Sequence, residues 1–250
     1  MKLLFFFAFI LYPFFYTAAQ DVNSLLMEAE RLEAAPDEIA AFHKYKEVFK
    51  IQPLNVFALA KCSELCSRIG KRQTNTKVRD DYYSAARTYA GIALKVNPNN
   101  ADANCAMAMV LGRGSMARTG KEKIANAREV KKYVDLALKN DPQNFIAWHI
   151  LGRWHYEVSN LNLLEKAAVK LLYGGMPPAS IKESIRAFER SRAIEPRFIL
   201  NYFEMAKAYK QNDKEAKAIE YLNFMLTLPN QTEDDPAIKE QGKKLLRELK

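Results

Sequence analysis

Five prolines recur along the chain, each after a segment whose apolar residues have helical spacing. They are Pro53, Pro98, Pro142, Pro196 and Pro229, and the intervals between them are 45, 44, 54 and 33 residues. Because proline lacks an N–H and clashes with the preceding turn, each one ends a helix, and the next helix begins shortly after it. No segment alternates polar and apolar residues for long enough to predict a strand. The chain is therefore predicted to be an all-α array of repeated helix pairs.

Residues at fixed positions after these prolines identify the repeat. After Asp141–Asn144, Trp148, Leu151 and Gly152 fall at positions 4, 7 and 8, which is the W-x2-L-G spacing of tetratricopeptide repeats. In that pattern the small residue lets the two helices of a pair approach closely. The following units repeat the register, and the predicted repeat core comprises Trp148, Leu151, Gly152, Tyr202, Ala206, Tyr209 and Ala218. Trp148 and Leu151 are expected to be buried, with Gly152 at the helix crossing.

The units differ in length, which predicts additions to a regular solenoid of about five helix pairs. Long loops are expected at Gly70–Lys77 and Gly112–Lys123. The segment Leu161–Ser180 has leucines at helical spacing followed by a Gly/Pro turn, and this predicts an extra helix inside the fourth pair. The last stretch, Asp234–Leu249, carries an apolar stripe of Ile238, Leu245, Leu246 and Leu249. It is predicted to be a capping helix that covers the last pair.

The fourth unit resembles the regulator of microtubule dynamics family of tetratricopeptide proteins. The resemblance rests on Gly152–Val158, which reads G-R-W-H-Y-E-V, on the leucine-rich insert, and on the Gly175–Pro178 turn, which follow one another in the family's order. It extends over roughly Ala101–Leu228. The resemblance implies an all-α scaffold that binds partners and brings no catalytic residues. It also implies a link to lipid binding, since some members carry a membrane anchor and are connected with lipids at organelle contacts.

The first nineteen residues have the pattern of a secretory signal peptide. Lys2 precedes an apolar run from Leu3 to Tyr16, and Thr17–Ala19 supplies the small residues that a signal peptidase requires. The apolar run is shorter than the ~20 residues of a spanning helix, and Pro13 interrupts it. Cleavage after Ala19 is predicted, which leaves 20–250 as one repeat domain in an exported, secreted or periplasmic protein. An uncleaved N-terminal anchor is the alternative.

Motifs for catalysis, metals and nucleic acids are weak. Gly114–Lys121 departs from a phosphate loop, because five residues separate its glycines and Glu122 replaces the required Ser/Thr. His149 and His155 are six residues apart, so they do not share the helix face that a zinc pair needs. A non-enzymatic protein without cofactor or metal is predicted. The net charge of +9 alone selects no partner, and the basic helices lack interleaved aromatics, which argues against nucleic-acid binding.

The three cysteines lie at interior positions of the predicted first helices. Cys62 and Cys66 are four residues apart on one helix, and Cys105 lies near the start of the first helix of the next unit. They are expected to be buried free thiols. A disulfide between Cys66 and Cys105 is the alternative in an oxidising compartment.

The first helices of tetratricopeptide arrays line a concave groove, and their positions 2, 5, 9, 12 and 13 point into it. The candidate partner-binding residues at or near these positions are Arg113, His149, Arg153, Tyr156, Phe203, Lys207 and Lys210. Cations one repeat apart suit an extended acidic segment or a C-terminal carboxylate of another protein. A structural role is left open, in which Arg153 and Tyr156 tie the insert to the scaffold. The alternative function is binding of a lipid or small hydrophobic ligand in a cavity beneath the inserted helix.

Overall fold

A computed structural model describes residues 13–114 and 120–249, and it is all-α in these ranges. The described helices are α1 (Pro13–Ala34), α2 (Glu38–Ile51), α3 (Val56–Arg72), α4 (Thr76–Val96), α5 (Ala101–Gly114), α6 (Gly120–Asn140), α7 (Phe145–Ser159), α8 (Leu163–Tyr173), α9 (Ile181–Ile194), α10 (Ile199–Gln211), α11 (Glu215–Thr227) and α12 (Asp235–Glu248). Within these ranges, no helix combines the length and apolar character needed to cross a membrane.

The helices form the predicted solenoid of five pairs. The pairs are α1–α2, α3–α4, α5–α6, α7–α9 and α10–α11, with α8 inserted in the fourth pair and α12 packed on α10 and α11. First helices of successive pairs contact one another from α3 through α5 and α7 to α10. Each second helix instead packs against its own first helix and the next one. The first helices α3, α5, α7 and α10 therefore line the inner side of the array, here called the concave face.

An asparagine two residues after each of three repeat prolines begins the next first helix. The side chains of Asn55, Asn100 and Asn144 accept the N–H groups of Ala58, Ala103 and Ala147 at 2.9, 2.8 and 2.9 Å. Such caps satisfy backbone donors that a helix N-terminus leaves unpaired. Proline thus ends one helix and asparagine begins the next, which gives the repeat its sharp turns.

Gly152 lies where α7 crosses α9. A Cβ atom at this position would stand 2.6 Å from Cδ1 of Phe188, so only glycine permits the approach. Nearby, the Ser184 hydroxyl donates to the carbonyl of Gly152 at 2.8 Å. In the next unit the repeat residues Tyr202, Ala206, Tyr209 and Ala218 are all buried in the cluster formed by α9–α12.

Two details of the sequence prediction are wrong. Trp148 is half-buried rather than in the core, because its Nε1 reaches back over the turn to donate to the carbonyl of Pro142 at 2.9 Å. Trp154 fills the core of this unit instead, donating to the carbonyl of Ala127 at 2.8 Å, and Leu151 is only partly buried beside it. The long loop expected at Gly70–Lys77 is also absent, because α3 continues to Arg72 and α4 begins at Thr76. In the second expected loop, Gly112–Lys123, α5 continues to Gly114 and α6 begins at Gly120, and residues 115–119 lie outside the described ranges.

Candidate functional site

Arg113, at the end of α5, is a cation on the concave face that has no anionic partner among the described residues. Its Nη1 is buried and has no hydrogen-bond acceptor, and among residues 13–114 and 120–249 it forms no ion pair. Burial lowers the pKa of the Arg113 guanidinium to about 10. The nearby cations Arg68 and Arg153 add to this effect, while the charge of Asp234 opposes it. At pH 7 the group is still charged, so it is a partly buried cation with no carboxylate of the described residues in contact.

Two other predicted cations of the face, Arg153 and Lys207, share an internal carboxylate. Glu204 of α10 is nearly buried, and its Oε2 lies 2.8 Å from Nζ of Lys207. Its Oε1 lies 3.9 Å from Nε of Arg153, which is a longer and looser pairing. Although burial alone raises the pKa of Glu204, the charges of Arg153 and Lys207 hold it below its usual range. The single negative charge of Glu204 therefore neutralises Lys207, its closer partner, and leaves Arg153 only loosely paired.

Aromatic rings lie beside the same lysine. Nζ of Lys207 stands 5.1 Å from the ring centre of Tyr156 and 5.6 Å from that of Phe203, and both rings are partly buried. Lys210 points toward the capping helix, where its Nζ lies 3.5 Å from Glu248. Tyr156, Phe203 and Lys207 thus form a mixed aromatic and cationic surface, while Lys210 binds α12.

His149 is not a groove residue. Its side chain is buried, its Nδ1 lies 3.1 Å from Oδ1 of Asn201, and its ring packs against Phe188 and Phe198. Burial lowers the pKa of His149 to about 4, so the ring is neutral at pH 7. The prediction placed it in the groove from its repeat position, but the helix rotation directs it between α9 and α10.

The insert does not fill the groove. Of the described side chains of α8 only Val169 is buried, while Leu163, Leu164 and Leu171 are more than 80% exposed. Nζ of Lys166 reaches the carbonyl of Ser159 at 3.4 Å. Arg153 and Tyr156 contact α10 instead, so the structure does not support the expectation that they tie the insert to the scaffold.

A small cavity of about 260 Å³ lies beneath α8. Its lining includes Val158, Leu161, Lys166, Val169, Met176 and Pro177. Ligand pockets usually measure about 300–1,000 Å³, so this space is below the range for a lipid or a drug-sized molecule.

All three cysteines are buried free thiols. The Sγ of Cys105 donates to Oδ1 of Asn144 at 3.4 Å, and burial raises the pKa of all three thiols. Within the residues that the structure describes, no group of three His, Cys, Asp or Glu side chains could hold a metal ion.

The carboxylates that face these cations are not among the site residues predicted from the sequence. Glu204 precedes Lys207 by three residues, a spacing at which helix side chains pair, so a sequence signal for it existed. Glu233 and Asp234 meet the C-terminal end of α3 from the other end of the chain, where Asp234 lies 3.3 Å from Arg72. No local pattern could have revealed that contact.

Comparison with known proteins adds a family and a fold. A family model described as Regulator of microtubule dynamics protein 1-3 matches residues 25–250. Regulator of microtubule dynamics protein 2 of Macaca fascicularis is 27% identical over 232 residues, which cover 92% of this chain and 55% of that protein. Regulator of microtubule dynamics protein 3 of Bos taurus is 25% identical over 234 residues, covering 90% and 49%. The chain thus spans about half the length of the curated relatives it matches.

A solved structure supports the fold. A thermophilic tetratricopeptide-repeat protein of Thermus thermophilus superposes with a TM-score of 0.64 at 12% identity, covering 90% of this chain and 99% of that one. The helical repeat architecture is therefore shared, while the low identity carries no information on ligands.

Proposed function

We propose a function for this chain from two facts: it belongs to the regulator of microtubule dynamics family, and its concave face holds a buried guanidinium with no anionic partner among the described residues. The proposed function is that of a non-enzymatic repeat scaffold. Its concave face binds an acidic or carboxylate-bearing segment of another protein, centred on Arg113.

The unpaired state of Arg113 is the observation that carries this proposal. A buried charge without a countercharge is costly, and native proteins pair such groups. An incoming carboxylate would supply the missing anion, and a guanidinium can bind it through two parallel hydrogen bonds. Arg153 stands close enough for its charge to act on Arg113, and its own partner Glu204 is 3.9 Å away, so it can turn toward the same ligand.

The aromatic surface supports an extended ligand rather than a single ion. Tyr156 and Phe203 lie further along the concave face than Arg113 and flank Lys207. Partly buried aromatic side chains beside a cation offer apolar contact for the side chains that neighbour an acidic residue. Lys207 contributes less to anion binding because Glu204 already neutralises it.

A pull-down from the native host tests the proposal. Arg113→Gln removes the charge and Arg113→Lys removes the planar fork, so both should lose the partners that the wild type retains. Arg186→Gln is the matched control, since Arg186 is 77% exposed on α9 and pairs locally with Glu183. Urea melts check that each variant is folded. Recovery of the same partners with both Arg113 variants would contradict the proposal.

Export is proposed together with this function. It rests on the apolar run before Thr17–Ala19, and the predicted cleavage point after Ala19 falls within α1. The exported protein should begin at Gln20, which N-terminal sequencing or intact mass measures directly. Retention of residues 1–19 in a membrane fraction would contradict it.

A hydrophobic ligand is the second candidate, and the exposed leucines of α8 favour it. Since the cavity beneath α8 is small, such a ligand would have to cover the outer face of the helix. Native mass spectrometry of protein purified from its host separates the two functions. For the scaffold function we expect protein free of lipid. A bound lipid that Leu163→Ser and Leu171→Ser release would favour the second candidate.

A further inference from the structure

The two ends of the solenoid are joined by an acidic segment, residues 231–235, here called the acidic clasp. The backbone N–H of Glu38 at the start of α2 donates to Oε1 of Glu233 at 3.0 Å. Nη2 of Arg72 lies 3.1 Å from Oε2 of Glu233, and its Nη1 lies 3.3 Å from Oδ1 of Asp234. Nζ of Lys71 lies 3.4 Å from Oδ2 of Asp234. Two acidic residues from the last unit thus bind the C-terminal turn of α3.

The rest of the clasp is shaped for this contact. The carboxylate of Asp235 accepts the backbone N–H groups of Gln231 and Thr232 at 2.7 and 2.8 Å. This loop holds Glu233 and Asp234 outward, toward α2 and α3. Asp234 is also the carboxylate whose charge acts on Arg113 and Tyr83, although it pairs with Arg72 and Lys71. The clasp therefore lies at the edge of the proposed binding surface.

The contacts that close the ends are polar. The apolar cluster of the first two pairs and that of α9–α12 share no residue, and α12 packs on α10 and α11. Lys71 is 47% and Glu233 is 33% exposed, whereas their partners Asp234 and Arg72 are 13% and 24% exposed, so water and salt reach one side of these ion pairs. Pairs of this kind are weak and screened by salt. A contact built in this way can open and close without unfolding either end.

We propose that the acidic clasp is an intramolecular ligand of the basic end of the concave face, and that an acidic partner segment displaces it. This inference rests on the proposed function, because the partner carries the same carboxylates. In the closed state Lys71 and Arg72 are occupied and Asp234 partly screens Arg113. A partner therefore binds with an apparent affinity reduced by the fraction of molecules whose clasp is open.

The test supplies the clasp as a separate peptide. The probe is a fluorescein-labelled peptide with the sequence of residues 228–236, Leu-Pro-Asn-Gln-Thr-Glu-Asp-Asp-Pro, with blocked termini. Its binding to the whole chain is followed by fluorescence anisotropy at low salt. The double variant Glu233→Gln/Asp234→Asn removes both clasp carboxylates from Lys71 and Arg72, although Arg72 keeps its pairing with Glu38 at 2.7 Å. It should bind the probe about tenfold more tightly than wild type does, if the native clasp is closed about nine-tenths of the time.

Three controls make the result specific. Glu240→Gln removes a 69% exposed carboxylate of α12 that pairs only locally, and it should leave probe binding at the wild-type value. Adding Lys71→Gln to the double variant should weaken binding again. A probe with Gln and Asn in place of Glu233 and Asp234 should not bind the double variant. Circular dichroism and urea melts establish that all variants are folded.

Equal probe affinity for wild type and the double variant, including no binding to either, would overturn the proposal. Equal binding of the neutral probe would also overturn it. The scaffold function is decided separately by the Arg113 pull-down. If the Arg113 variants lose their partners while the probe binds wild type and the double variant equally, the clasp proposal is wrong and the proposed binding function of the concave face stands.

Discussion

Two partly buried arginines on the inner side of the array have opposite surroundings. Arg68 of α3 meets three carboxylates, with Glu33, Glu38 and Glu64 at 2.9, 3.3 and 3.4 Å. Arg113 meets none among the described residues. Arg68 therefore stabilises the fold. The charge of Arg113 has no such partner among the described residues, so its role must involve a ligand from outside the chain.

Replacing these arginines by methionine should change stability in opposite directions. Arg113→Met removes an uncompensated buried charge, so the free energy of unfolding should rise by about 1–2 kcal/mol. Arg68→Met takes the closest cation from Glu33 and Glu64, although Glu38 keeps its pairing with Arg72 at 2.7 Å, and it should cost about 1–3 kcal/mol. Urea denaturation measures both values. A loss of stability in Arg113→Met comparable to that in Arg68→Met would mean that Arg113 is structural.

His149 should make the fold sensitive to mild acid. Its pKa is about 4 in the folded state and near 6.5 when unfolded, so between these values the unfolded chain binds more protons. Stability is therefore lost as the pH falls from about 6.5 to 4, with about 2 kcal/mol gone between pH 7 and 5. Unfolding curves of His149→Gln should lack this part of the pH dependence. His43 is exposed, so the control variant His43→Gln should keep the pH dependence of the wild type. If both variants show the same pH dependence, His149 is not its source.

At the scale of the helix, the sequence predicted most of what was found. The repeat prolines, the insert after α7 and the apolar stripe of α12 indicated five pairs, an extra helix and a cap, and the structure and the family match confirm these features. The repeat spacing correctly placed Gly152 at the helix crossing, but it could not decide which of Trp148 and Trp154 is buried in the core. Helix positions give a direction within a pair, whereas the packing of the neighbouring pair decides which aromatic is buried.

The exposed leucines of the inserted helix α8 should contribute little to folding stability. Leu163 and Leu171 are exposed, so their replacement by serine should change the free energy of unfolding by less than about 0.5 kcal/mol. Val169 is the matched control on the same helix, because it is 3% exposed and Val169→Ser buries a hydroxyl at a cost of about 1–3 kcal/mol. If urea melts show that the leucine variants and Val169→Ser change the free energy of unfolding equally, α8 packs on the array through a different face.

At the scale of the whole molecule, the array closes on itself. The contact between Glu38 and Glu233 joins residues 195 positions apart, and Arg72 reaches Asp234 across 162 positions. Repeat periodicity describes neighbours only, so it carries no information on whether the ends of a solenoid meet. For the same reason the sequence indicated the cations of the concave face but not the carboxylates that neutralise or cover them.

Amide hydrogen exchange of the intact chain, with and without its captured partner, tests the concave-face assignment most directly. We predict slower exchange in α3, α5, α7 and α10, centred on the end of α5 around Arg113. We also predict faster exchange in residues 231–235 as the acidic clasp is released. The second helices α4, α6, α9 and α11 serve as the internal reference and should change little. Protection confined to α8 or to those second helices, with the clasp unchanged, would contradict the assignment.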